Sequence, residues 1–147
     1  MQGSVEVVTG ERAILEAIAK FQAATRKIWC ACVESALPAF SLGRVKDGYL
    51  GAAKRGVRIM YITEITKDNL SDCKKIMEFA EVRHLHSVRG NFALSETEYI
   101  AGVLVGTALV SLVRTDVDEI VQQQHNVFET LWNHSVPAES RFREISG

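Results

Sequence analysis

Apolar residues recur at helical spacing in the first part of the chain. Ile14, Leu15, Ile18, Phe21 and Ala24 share one face and leave Glu11, Glu16, Lys20 and Lys27 for solvent. The pattern predicts a helix over 11–27, opened by Ser4 or Thr9. The unbroken apolar run 28–33 reads as a buried strand, and Pro38 then makes 34–42 irregular. Val45, Tyr49 and Ala52-Ala53 predict a helix over 42–55, stopped by Gly56 after the basic pair Lys54-Arg55. A strand over 57–62 and a helix over 67–79, capped by Thr66 or Asp68, follow. A strand, a helix and another strand in succession predict a crossover with parallel pairing.

Beyond Glu81 the rhythm shortens. Strands are expected at 82–85, 91–94, 98–105 and 108–113, with a turn at 87–90 and a tight hairpin at Gly106-Thr107. Asp116 is placed to cap a long final helix reaching about His134. Its repeated face is Val117, Ile120-Val121, Gln124, Val127-Phe128 and Leu131-Trp132. Pro137 stops this helix or opens a short one over 138–145. The expected class is mixed α/β, with a central sheet of five or six strands and helices on both faces.

Composition narrows the setting. With 147 residues, 47% hydrophobic and 24% charged, the chain is expected to form one globular domain, 1–147. Seventeen Lys and Arg against eighteen Asp and Glu leave a net charge of -1. Without a basic excess, neither a nucleic-acid partner nor membrane insertion is expected. The longest mostly apolar stretch, 99–113, is interrupted by Gly102, Gly106, Thr107 and Ser111 and is too short to span a bilayer. The start, Met1-Gln2-Gly3-Ser4-Val5, lacks a signal-peptide pattern, and the odd set Cys30, Cys32 and Cys73 fits a reducing compartment. A cytoplasmic location is expected.

Candidate chemistry gathers at strand ends. Open α/β sheets bind ligands beyond the carboxyl ends of their strands. That selects Cys32 and Glu34 after one strand, and Thr63, Glu64 and Thr66 after the next, with Tyr61 beside them. Glu34 and Glu64 as solvated charges and Thr66 as a cap is the competing reading. Arg89 suits an anion such as a carboxylate or phosphate, with Asn91 on the same side of its strand; a solvated turn is the alternative. His84 and His86 would form half of a metal site if Cys30 and Cys32 or His125 completed it, but ordinary polar or partly buried histidines are the favoured reading. The spacing assigns no metal and no cofactor. No nucleophile, base and orienter lie together along the sequence, so the chain is not expected to be an enzyme.

Several segments resemble a known arrangement: Lys46-Asp47-Gly48-Tyr49, the run 55–69 with its Tyr61-Ile62-Thr63-Glu64-Ile65-Thr66 centre, Arg83-His84-Leu85, 90–99 and 122–132. Together they are similar to the amino-terminal sensory domain of archaeal two-component sensor histidine kinases. The resemblance implies a non-catalytic domain cut from a longer receptor kinase, which senses an unidentified small ligand at Cys32, Glu34, Tyr61, Thr63, Glu64, Thr66, Arg89 and Asn91. It further implies a homodimer, downstream sensory and kinase domains as partners, and a conformational signal leaving through the carboxyl-terminal helix.

That family in turn resembles one half of the phospholipase D fold. Active members carry a histidine, a lysine two residues later and an aspartate after the strand. Arg89 stands where the histidine falls, Asn91 where the lysine falls, and Ser95 or Glu96 near the aspartate. Asparagine lacks the lysine's charge and arginine is a poor nucleophile, which argues against phosphodiester hydrolysis by that set. A phosphodiesterase of phospholipase D type and a pure dimerisation module are the alternative functions.

Overall fold

A computed structural model of the chain describes residues 2–34, 43–106 and 108–146. β2 (Ile28–Val33) and β3 (Arg58–Thr63) run parallel, from Ile28 opposite Arg58 to Val33 opposite Thr63. α2 (Gly43–Lys54) lies between them in the chain, as the strand–helix–strand pattern predicts. β4 (Glu81–His84) adds a third parallel strand, after α3 (Leu70–Ile76). The remaining pairings are antiparallel. β5 (Asn91–Leu94) returns to the free side of β2, and β6 (Tyr99–Val105) and β7 (Ala108–Thr115) extend the sheet from it.

Two edge strands were not expected from periodicity: β1 (Val5–Thr9) on β7, and the short β8 (Val136–Pro137) on β4. The sheet therefore has eight strands, in the order β1-β7-β6-β5-β2-β3-β4-β8, where five or six were expected.

Helices cover both faces, because the inner strands alternate between two apolar cores. Trp29, Ala31 and Val33 of β2 face α1 (Glu11–Ala24), α2, α3 and α5 (Ala138–Ser146), where Ile14, Ile18, Phe21, Tyr49 and Ile76 are buried. Trp29 stacks on Tyr49 with ring centroids 4.0 Å apart. Cys30 and Cys32 face the other way, as their two-residue spacing predicts, towards Val121 and Phe128 of α4 (Asp118–His134). Of the apolar stripe on α4, Phe128 is buried, Leu131 and Trp132 are half-buried, and Val127 is exposed.

Helix starts depart from the expected caps. α1 opens at Gly10, with φ 90°, because Thr9 belongs to β1. α3 begins after Asn69 rather than at Lys67. The Asn69 side chain closes the preceding turn, accepting from the Thr66 amide at 2.9 Å and donating to the Glu64 carbonyl at 2.8 Å. Asp116 does not cap α4; it accepts the Ser4 amide at 2.9 Å and thereby ties β1 to the end of β7. The Thr107 half of the expected hairpin lies outside the described residues, while Gly106 has φ 64°. Among the described residues, no helix is long and apolar enough to cross a membrane.

Candidate functional site

β2 and β3 end side by side, so the residues that follow them, Glu34 and Glu64, emerge at one edge of the sheet. The loop from β4 to β5 folds over the same edge. Its entrance is set by the Leu85 amide, which donates to the Thr63 carbonyl at 3.1 Å and extends the β3–β4 pairing. Ser87 then takes φ 56°, a left-handed backbone that a residue other than glycine seldom adopts. Val88 anchors the loop in the α4-side core. Gly90, with φ 89°, turns the chain into β5, and its amide donates to Glu34 Oε1 at 2.6 Å. Asn91 Oδ1 accepts the Glu34 amide at 3.1 Å, so the two strand ends lock each other.

This arrangement leaves a crevice of about 230 Å³ lined by Glu34, Glu64, Ser87, Val88 and Arg89. His86, beside Ser87 in the loop, places Nδ1 3.0 Å from Glu64 Oε2. Among the described residues, no carboxylate lies within ion-pair distance of the exposed Arg89 guanidinium. The edge thus presents a cation, a histidine–carboxylate pair and a second carboxylate held by a backbone amide.

The eight residues selected from the sequence have different places. Glu34, Glu64 and Arg89 meet at the crevice, and Asn91 stands behind them on the Glu34 backbone. Thr63 is buried, and its hydroxyl donates to the Val33 carbonyl at 2.6 Å. Thr66 is half-buried in the turn closed by Asn69. Tyr61 is fully buried in the core under α2, where burial pushes its phenol well up. Cys32 is buried towards α4; burial, with the nearby Glu34 charge adding to it, pushes its thiol up to about 11.

The histidines do not assemble into the half-site considered for a metal. His84 is buried, accepts the Ile65 amide on Nδ1 at 2.9 Å, and is lowered in pKa first by burial and then by Arg141. His125 Nε2 instead lies 2.8 Å from the Ser95 carbonyl. Among the described residues, no group of three or more His, Cys, Asp or Glu is placed to hold a metal ion. Glu96 follows β5 at the far end of the strand from the crevice, with Oε1 2.6 Å from the Arg26 amide nitrogen. The His86–Glu64 pair was missed in the sequence reading. Its only local signal was the turn at 87–90, because the pair forms through the register of β3 with β4.

The sequence matches no protein-family model and no curated relative. Solved structures do share the architecture. NucT from Helicobacter pylori matches with a TM-score of 0.77 at 12% identity, over 92% of this chain and 99% of its own. Nuc from Salmonella typhimurium, a phospholipase D family member, matches with a TM-score of 0.73 at 10% identity, over 92% and 98%. TrmBL2, an archaeal chromatin protein with a novel mode of DNA binding, gives 0.71 at 16% identity over 90% of this chain. This chain spans about half, 52%, of that protein.

Two expectations are corrected. The exclusion of enzyme activity does not stand, because chains with this architecture over nearly their whole length include a phospholipase D family member. The physical reason is that chemistry was expected only from residues close together along the sequence, whereas strand pairing brings distant residues into contact, as it does His86 and Glu64. The exclusion of nucleic acid does not stand either, since a DNA-binding chromatin protein shares the fold. Net charge averages over a whole surface and is silent on where an exposed cation such as Arg89 sits. The sheet order, the helices on both faces and the strand-end crevice give this chain a mixed α/β, phospholipase D-like fold.

Proposed function

We propose that the crevice recognises a phosphodiester, and that the group it takes belongs to a nucleic-acid strand. One observation carries the reading: Arg89 stands exposed at the carboxyl edge of the parallel strands, without an acidic partner among the described residues. A guanidinium in that position offers a planar fork to two phosphate oxygens. The neighbouring carboxylates would oppose an anion if they were bare. Glu34 is held by the Gly90 amide and Glu64 by His86, which offsets part of that repulsion. The fold shared with a phospholipase D family member and with a DNA-binding chromatin protein supports the same ligand chemistry.

Fluorescence anisotropy with a labelled single-stranded oligonucleotide tests this. Binding is expected at low salt, weakening as salt rises because phosphate contacts release counterions. Arg89→Ala is expected to weaken it at least about fivefold, the loss of one charge-assisted contact. Absence of binding by the wild-type chain, or an Arg89→Ala variant that binds equally well, removes the reading.

The sensory resemblance supplies a second reading, in which this chain is one input domain of a longer receptor and the occupied crevice signals through α4. What favours it is the helix itself. Phe128 packs on the sheet while Asn126, Glu129, Thr130 and Asn133 remain exposed and free to meet another domain. Hydrogen exchange should then show changed protection along α4 when the oligonucleotide is added; an unchanged helix counts against it.

A further inference from the structure

We propose that β1 pairs edge to edge with β1 of a second copy of this chain, joining two sheets into one across a two-fold axis at Val7. β1 is the outermost strand, and among the described residues no strand lies beyond it. The direction of its backbone groups follows from Ser4. The Ser4 amide donates to Asp116 Oδ1 at 2.9 Å, and the Ser4 carbonyl accepts the Asp116 amide at 3.4 Å, so both groups face β7. Backbone groups alternate in direction along an antiparallel strand. Glu6 and Val8 therefore also turn to β7, while Val5, Val7 and Thr9 turn their amides and carbonyls outward.

This edge carries none of the usual guards. Natural sheets blunt an edge with proline, lysine, a bulge or a very short strand. The opposite edge obeys that rule, since β8 is two residues long and contains Pro137. β1 is five residues long, reads Val-Glu-Val-Val-Thr, and pairs with β7 in unbroken register. Its charged residue, Glu6, places Oε2 3.7 Å from Arg114 Nη1.

The side chains suit the same partner. Register leads from Cys32 through Phe92, Ala101 and Val113 to Val7, so Val5, Val7 and Thr9 share the α4 face of the sheet. Val121 and Phe128 of α4 pack beside Cys32, further in, and Val5 and Val7 are left 57% and 70% exposed. Ser111, Val113 and the exposed Val103 continue the same uncharged surface. Valines uncovered beside an open edge mark a surface that pairs.

A second copy is the occupant because β1 complements itself. An antiparallel partner centred on Val7 sets Val7 opposite Val7, Val5 opposite Thr9 and Glu6 opposite Val8. Outward residues then meet only outward residues, and each such pair exchanges both backbone hydrogen bonds. No two glutamates stand directly opposite, which a centre at Glu6 would force. A centre at Glu6 or Val8 would also put on the axis a residue whose backbone groups β7 already holds. β7 and β6 separate β1 from β5, so the pairing leaves the strand-end crevice open and stands apart from the phosphodiester reading.

Sedimentation velocity of the full chain over a concentration series, with a thermal melt of every variant, tests the pairing. Wild type should sediment as a dimer at high concentration and dissociate on dilution. Val7→Pro removes an outward amide and spares the bonds to β7, so it should fold and weaken association at least about tenfold. If Val7→Pro does not fold, Val7→Lys takes its place, because like charges facing each other across the axis oppose pairing. Val7→Cys reads the register directly. Cα atoms in a hydrogen-bonded antiparallel pair lie about 5.5 Å apart, within the span of a disulfide, and the native thiols are buried. Val7→Cys should oxidise to a covalent dimer far faster than Val105→Cys, whose position is 66% exposed. A wild-type chain that stays monomeric to millimolar concentration overturns the inference. So does a dimer that the proline and lysine substitutions leave intact, or a Val7→Cys chain that crosslinks no faster than Val105→Cys.

Discussion

Glu96 reaches from the turn after β5 to Arg26, where its Oε1 lies 2.6 Å from the amide nitrogen, and its Oε2 lies 3.3 Å from the amides of Lys27 and Ile28. One carboxylate thus organises the backbone between α1 and β2. Burial acts to raise its pKa, but the hydrogen bonds from its own amide and from Arg26, Ile28 and Lys27 outweigh it, and the group sits below its ordinary 4.5. A carboxylate depressed in the folded state contributes stability above its unfolded pKa, and that contribution is lost as pH falls through the folded value. Glu96→Gln should therefore cost about 1 kcal/mol near neutral pH, typical of hydrogen bonds to a charged group that is partly solvated. The difference from wild type should shrink as pH falls below about 4.5. Urea unfolding at a series of pH values reads both.

Two glycines in one stretch should respond with opposite signs. Gly56 ends α2 with φ 87°, its amide bonded to the Ala53 carbonyl while Val57 bonds back to Ala52. Gly56→Ala should cost about 1 kcal/mol, because a Cβ is disfavoured in that backbone. Gly51 lies within α2, and a Cβ there would meet only Arg55 Nη1 at 3.7 Å. Gly51→Ala should add about 0.5–1 kcal/mol through helix propensity. Thermal melts of the two variants against wild type decide the signs.

All three thiols should be inert in the native protein. Cys30 and Cys73 are pushed up to about 12 and Cys32 to about 11, in each case mainly by burial. The thiolate is the reactive form, so a disulfide reagent at pH 8 should label none of them quickly. Addition of denaturant should release all three. Rapid labelling of Cys32 without denaturant would show that its side of the sheet opens.

Arg83 joins the edge of the sheet to the end of α4. Its Nε donates to Ser135 Oγ at 2.7 Å, its Nη2 to the Ser135 carbonyl at 2.6 Å, and its guanidinium lies 5.1 Å from the centre of the Trp132 ring. Arg83→Ala should destabilise by about 2 kcal/mol, from two charged hydrogen bonds and a cation–π contact. Arg83→Lys should recover less than half, since an ammonium cannot reproduce the planar fork. Tryptophan fluorescence during unfolding follows the same contact.

What was legible in the sequence was whatever depends on near neighbours. β2 and β5 occupy the expected 28–33 and 91–94, because a short apolar run bounded by polar residues has few other solutions. α2 stops at the expected Gly56, since helix termination is settled within a turn or two. The two faces of β2 follow from alternation alone. By contrast, β1 was not expected, because its short Val-Glu-Val alternation becomes a strand only with β7 as a partner. Asp116 carried a cap signal, yet tertiary structure gave its carboxylate to the Ser4 amide, over a hundred residues earlier in the chain.

The site divides in the same way. Glu34 and Glu64 could be placed at strand ends by pattern, and Arg89 by its turn. The meeting of His86 with Glu64, and of Glu34 with Gly90, exists only because β3 lies against β4 and β2 against β5 in one particular register. Periodicity tells which face of a strand a side chain takes; it carries no record of which residue on a distant strand will stand opposite. Register is selected by the packing of whole faces against the helices, and the chemistry of this crevice was decided there.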